Sequence, residues 1–358
     1  MTGNLEESRL ATEQLILDDS ESRLEDGRGT GVEKKTGPVL WWALLGLILI
    51  ASMAWALANW IVYNFKPAPI APGERVSILL IVVQIVAPLF CIVVGYFYVF
   101  RPWRKMGHLP WDAVFLLACA TILFQDPINN YFKFTFSFDP RFVNFSSWAP
   151  WIPGWEASGL NNFSEPLLFI APFCFTSFFL MALFGCKVLD WTHAKLPQAS
   201  LATRCVILYV ILLLSALVFE VAMVRVGLFT FSSTYSPLTL FAGRWYQFPL
   251  YEVTGNALLG VLLTLVRYRR GADGLSFVEQ GIRRVRIADG LSTFVRWLAL
   301  VGVVQVIAFL TFFVPYNWIS AKSDSFPEVP LRYTYGLCDE GPGAQNPCPS
   351  PEDPWPGK

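Results

Sequence analysis

The chain has 358 residues, of which 54% are hydrophobic and 16% aromatic, while only 15% are charged. Soluble domains carry about a quarter charged residues, so this balance excludes an ordinary soluble protein and points to a membrane. Lysine plus arginine equals aspartate plus glutamate, 27 against 27, so no excess of positive charge marks a nucleic-acid partner.

Residues 1–37 are polar, with nine acids against five bases and no cleavable signal pattern. This acidic segment, with its weakly amphipathic LEESRLATEQLIL, is expected to be a disordered or surface-lying cytoplasmic tail. Seven apolar runs follow, near 39–63, 76–100, 110–126, 167–186, 204–226, 248–268 and 295–316. Each approaches the ~20 residues that span a bilayer as helix. The expected fold class is all-α, a polytopic membrane helix bundle over 38–320. It carries a long outer loop at 126–166 and ends in a Pro/Gly-rich outer tail at 321–358. No internal repeat is evident.

Charge placement predicts the orientation. Thirteen basic residues lie in three fairly short connections on one face, from Arg101, Arg104 and Lys105 to the RYRR…IRRVR segment. The other face holds nine, spread over longer segments. The N-terminus is therefore expected inside and the C-terminus outside the membrane. The basic segment between the last two runs reads either as a stretch lying on anionic lipid or as solvated charge. Cys338 and Cys348 stand ten residues apart in the C-terminal tail. They fit a disulfide in an oxidising compartment, although both thiols could be free. The other five cysteines lie in or beside the apolar runs, where cysteine behaves as a small hydrophobe. With only two histidines, His108 and His193, no metal centre or other cofactor is called for.

The loop from 126 to 166 is the most unusual stretch. Eleven of the forty residues from Asp126 to Glu165 are aromatic. The stretch is too apolar for a solvated linker and too broken by proline for a span. Trp148, Trp151 and Trp155 recur between prolines, as an interfacial belt or as a folded cap. Asn144 and Asn162 begin Asn-x-Ser triplets that are glycosylation acceptors only in a eukaryotic secretory setting. Gln84 and Gln305 sit at mid-span and need partners inside the bundle.

Four carboxylates gather toward the outer face. Asp126 precedes Pro127 at the end of the third run, beside Asn129, Asn130 and Tyr131; Glu165 precedes Pro166 at the start of the fourth. Each could simply cap a helix. Glu220 lies about two turns inside the fifth run, a costly depth that marks either a functional site or an inter-helix salt bridge. Arg225, five residues on, is about 140° away around a helix and pairs elsewhere. Glu252 shares a helix face with Asn256, after Arg244, Tyr246, Gln247 and Tyr251.

The runs QDPINNYF, FVNFSSWAPWIPGW, GRWYQFPLYE and the terminal GLCDEGPGAQNPCP resemble the spirocyclase AveC family of bacterial polytopic membrane proteins, over roughly 40–348. The resemblance implies dehydrative closure of a dihydroxy-ketone, of polyketide type, to a spiroketal, without cofactor. It brings no catalytic set with it, so site residues rest on the chain itself. Such chemistry needs a general acid, a base and shielding of a cation. Glu220 is taken as the acid, with Asp126 or Glu252 as the ionised partner and Glu165 as a further candidate. Arg225 would hold the partner's charge, and Asn130, Tyr246, Tyr251, Trp148 and Arg244 would bind a hydrophobic small molecule. The aromatic loop becomes a lid over this pocket. The alternative is a transporter or a lipid- or isoprenoid-binding membrane protein without such catalysis. Oligomeric state is not legible.

Overall fold

A computed structural model describes residues 37–155, 163–271, 273–285 and 287–335. Seven helices in it are long and apolar enough to cross a membrane: α1 Val39–Tyr63, α2 Ile78–Met106, α3 Trp111–Asn130, α4 Ile170–Lys195, α5 Leu201–Arg225, α6 Leu250–Tyr268 and α7 Asp289–Ser320. They match the seven apolar runs, and the protein is an integral membrane helix bundle. The acidic tail at 1–36, and Cys338 and Cys348, lie outside the described residues.

Burial sorts the helices into layers. Helices α3, α6 and α7 carry much of the core, including Phe115, Leu263 and Val304, all fully buried. By contrast α2 and α5 expose Ile81, Val82, Ile85, Leu214 and Val218. Such a surface would aggregate in water and is at home against lipid tails. Where helices cross closely, small residues permit it. A Cβ on Gly46 of α1 would run into the Leu298 carbonyl of α7, and one on Gly302 into the Trp42 carbonyl. The mid-span glutamines also find partners: Gln125 Nε2 donates to the Gln305 carbonyl at 3.1 Å and to its side chain, and Gln305 Nε2 donates to Thr121 at 2.8 Å. Gln84 instead accepts from the Val143 amide of the outer loop.

Three short antiparallel pairs build a cap over one end of the bundle. Strand β1 (Phe136–Phe138) pairs with β4 (Phe229–Phe231), β2 (Phe145–Ser146) with β3 (Ser164–Glu165), and β5 (Thr239–Leu240) with β6 (Phe248–Pro249). The sequences Phe-Ser-Phe and Phe-Thr-Phe alternate as strands do. Four phenylalanines face the bundle, while Ser137 and Thr230 turn away and donate to the carbonyls of Tyr333 (2.9 Å) and Trp245 (2.8 Å).

The aromatic loop thus divides. Its first part roofs the bundle beside β4. Its second part leans on α1, where Trp148 meets Trp60 edge-on at 5.7 Å and Tyr63 stacks on Trp151 at 5.3 Å. Asn144 is buried, donating to the carbonyls of Pro140 and Phe142 and accepting from the Ala68 amide. No free amide is left there for a sugar; Asn162 lies outside the described residues. The segment after α7 is woven into the cap rather than trailing from it: Thr234 bridges to Ser325, and Tyr333 is fully buried. Asp139, without exposed surface, holds these pieces together. It accepts from Arg141 Nη2 at 2.6 Å and from Arg332 Nε at 3.2 Å, and both arginines also reach Glu74.

At the opposite end, the basic α6–α7 connection is pinned rather than free. Buried Glu279 accepts from Arg296 (2.7 Å), Trp111 (2.6 Å) and Ser276 (2.6 Å), and Arg267 pairs with Asp112 at 2.9 Å.

Candidate functional site

Beneath the β1–β4 roof lies a cavity of about 100 Å³. Its walls include Asp126 from α3, Glu220 from α5, Glu252 and Asn256 from α6, and Phe312, Phe313 and Tyr316 from α7. Phe136, Phe138, Phe229 and Phe231 close it toward the cap.

The winding of α3 decides which of its residues reach the cavity. From Ala120 to Asn130 the helix tightens to 3₁₀ geometry, with side chains three apart stacked in a column. Leu123, Asp126 and Asn129 form such a column, and all three line the cavity. An α-helical register would instead align residues 126 and 130. Asn130 therefore leaves the site. Its carbonyl oxygen accepts from the amides of Thr135 (2.9 Å) and Phe136 (3.0 Å), and its amide donates back to the Phe136 carbonyl at 3.0 Å. It ties the turn into β1, and its neighbour Asn129 takes the place at the wall. On α7 a π-helical turn at Phe309–Phe313 sets Phe312 and Phe313 against the cavity. Gly255 of α6 makes room, since a Cβ there would meet the Phe312 ring at 3.0 Å.

Glu220 and Glu252 meet across α5 and α6. The Asn256 amide donates to both carboxyl groups, at 3.2 Å and 3.1 Å. Among the described residues no cation pairs with Asp126, Glu220 or Glu252, so the salt-bridge reading of Glu220 is not what the fold contains. Asp126 Oδ2 and Glu252 Oε2 are buried without a hydrogen-bond partner among the described residues.

Glu165 belongs to the same neighbourhood but not to the cavity wall. It is fully buried in β3, and its Oε1 accepts from Ser147 at 2.7 Å. Burial pushes its carboxyl well above the ordinary value, and the nearby Asp126 adds to this against the pull of the Ser147 hydrogen bond.

Several expected pocket residues serve elsewhere. The Arg225 guanidinium sits over the Tyr246 ring at 3.7 Å and the Phe241 ring at 4.7 Å, exposed at the cap edge. The five-residue offset from Glu220 turns it away from the carboxyls, and its ring contacts occupy Tyr246 as well. Arg244 is exposed. The Trp148 indole donates to the Phe124 carbonyl at 3.0 Å. Tyr251 is buried behind the wall against Tyr316, with ring centroids 5.3 Å apart. The residues that sequence reasoning left out of the site are Asn129, Asn256 and Tyr316. The sequence does mark the first two, Asn129 beside Asp126 and Asn256 on the Glu252 face, without giving either a role in the site. Tyr316 gives no such signal, because its place depends on the π turn. Among the described residues no group of three or more His, Cys, Asp or Glu side chains is spaced to hold a metal ion.

No curated protein and no solved structure matches the chain. A family profile does match, over residues 103–334. This is shorter than the 40–348 expected from the sequence: α1, most of α2 and the terminal GLCDEGPGAQNPCP fall outside it. It still spans well over half of the chain and every carboxylate of the site, and the chain belongs to the spirocyclase AveC-like family.

Proposed function

We propose that this protein is a membrane-embedded cyclase/dehydratase that closes a dihydroxy-ketone to a spiroketal by acid–base catalysis at Asp126, Glu220 and Glu252. The observation that carries the reading is the convergence of three carboxyl groups from three helices on one phenylalanine-walled cavity, in a chain of spirocyclase type.

The steps balance without redox chemistry. One substrate hydroxyl adds to the ketone to give a hemiketal. An acid protonates the hemiketal hydroxyl, the C–O bond breaks, and water leaves an oxocarbenium ion. The second hydroxyl attacks that carbon and surrenders its proton to a carboxylate base, and return of that proton from the base to the acid restores the starting state. Glu220 and Glu252 suit the acid role together. Two carboxyl groups that share one amide donor in an apolar cavity repel each other when both are ionised, so the pair is read as keeping one proton. Asp126, on the facing helix, is the base. Asn256 orients the pair in the part first given to Arg225, and the phenylalanine faces shield and attract the cation.

The cap face is read as the outer one, because the basic connections crowd the opposite face. The substrate is read as a lipophilic polyketide-like molecule, and the setting as a bacterial cell membrane.

The test is turnover of an open dihydroxy-ketone by protein in lipid vesicles, followed as loss of one water by mass spectrometry. Asp126→Asn and Glu220→Gln should each slow closure by about 10²–10⁴-fold, the usual contribution of a positioned acid or base. Wild-type rates in both correctly inserted variants would end the proposal.

A further inference from the structure

The cavity of about 100 Å³ holds the reacting atoms of a lipophilic substrate but not the whole molecule, since drug-sized ligands occupy clefts of about 300–1,000 Å³. A second recess supplies the missing room. It lies between α4 and α5, has a volume of about 410 Å³, and is walled by Met181, Phe184, Leu212, Ser215, Ala216 and Phe219. Phe173, Phe178, Glu220 and Asn256 line both spaces, so the recess and the cavity adjoin at Glu220. Two other apolar recesses, about 450 and 470 Å³, lie beside α7 and have no carboxylate in their walls.

The flank that carries this groove faces the hydrocarbon layer. Phe184, Leu214, Val218 and Phe219 are 46%, 54%, 73% and 53% exposed, on helices long and apolar enough to cross a membrane. The exposed Phe219 ring stacks on Phe173 at 6.3 Å, 10° from parallel, and Phe173 continues into the cavity lining. The groove does not extend along the whole bundle. A Cβ at Gly185 of α4 would strike Thr264 of α6, so these helices pack tightly further from the cap. Ser177 Oγ is buried on the groove wall without a partner among the described residues.

We propose that this groove binds the apolar chain of the substrate, which enters sideways from the bilayer between α4 and α5 with its oxygenated end leading. The tail stays against Met181, Leu212 and Phe219 while the leading oxygens meet Glu220 and Asn256. The Phe173–Phe219 pair stands at the passage between the two. The identity of the reacting end rests on the cyclase reading; the lipid-side route rests on the groove.

The probe is a long-chain hydroxy-ketone carrying a mid-chain diazirine, photolysed with the protein in phosphatidylcholine vesicles and mapped by mass spectrometry. Adducts are expected within 177–184 and 212–219. Ser215→Trp fills the groove and should lower labelling about tenfold or more. Phe219→Ala widens the mouth and should raise it, which keeps the test alive if the tryptophan variant does not fold. Adducts confined to the recess by Tyr131, Trp155 and Trp318, or labelling indifferent to both variants, would overturn the proposal. Groove adducts with no dehydration of any hydroxy-ketone would leave the groove standing and remove the cyclase reading. Spiroketal formation with an unlabelled groove would do the reverse.

Discussion

Removing the Asp139 carboxylate tests whether the cap is a fastened part of the site or a loose cover. Asp139 accepts from Arg141 through Nε (2.9 Å), Nη2 (2.6 Å) and the backbone amide (3.0 Å), and from Arg332 Nε at 3.2 Å. The hydrogen bonds and charge of Asp139 push the Arg141 guanidinium further above its ordinary range. Breaking a buried pair from one side costs about 3–5 kcal/mol, because the partner's charge stays behind. Glu74 remains 3.1 Å from Arg141 and offsets part of this, so the lower end, about 3 kcal/mol, is expected for Asp139→Ala. The amide of Asp139 donates to the Leu228 carbonyl at the foot of the β1–β4 pair, so the loss should appear locally. Hydrogen exchange of amides in 136–138 and 229–231 should accelerate about a hundredfold, by RT ln of the opening constant, while α3 and α6 amides hardly change. Exchange in β1 and β4 within threefold of wild type would refute the clasp.

Further expectations concern the cap, the cavity and the helix crossing. The raised Glu165 carboxyl gives a signed pH dependence. The folded state keeps the Glu165 proton above the ordinary value of 4.5 while the unfolded state loses it, so stability falls as pH rises through that window; Glu165→Gln should flatten the slope in thermal unfolding scans. Asn130→Ala should destabilise by about 1–3 kcal/mol through its orphaned backbone groups, whereas Asn129→Ala should keep the melting temperature and lower cyclisation. Gly46→Val should cost about 1–3 kcal/mol or more by overpacking the α1–α7 crossing, read as a lower melting temperature in detergent.

The bundle was largely legible in the sequence because spanning helices announce themselves by length and apolarity alone. The three cavity acids were legible for a related reason: a carboxylate near a bilayer needs an explanation wherever it occurs. What stayed hidden depended on local winding and on long-range pairing. Asn130 and Asn129 look equivalent on paper, and only the 3₁₀ turn separates them. Arg225 is expected from the sequence to hold the charge of Asp126 or Glu252, but its ring partners Phe241 and Tyr246 lie in a connection whose path no periodicity reveals. The Asp139 clasp joins residues from four separate segments of the chain, and nothing local marks it. The Phe-Ser-Phe strand of the aromatic loop and the Phe-Thr-Phe strand after α5 did carry a period-two signal, too short in each to stand out.

The tightened end of α3 also sets a scale of depth. A 3₁₀ helix advances ~2.0 Å per residue and returns to the same azimuth every three, so Leu123, Asp126 and Asn129 are spaced about 6 Å apart like marks on a ruler. Exchanging Leu123 and Asp126 would carry the acid about 6 Å deeper along the helix axis at an unchanged azimuth. An α-helix would swing the same side chain by about 60° over three residues. Position along the chain here translates into depth below the cap with almost no rotation, so the height at which protons are exchanged is set separately from the direction from which a substrate is approached.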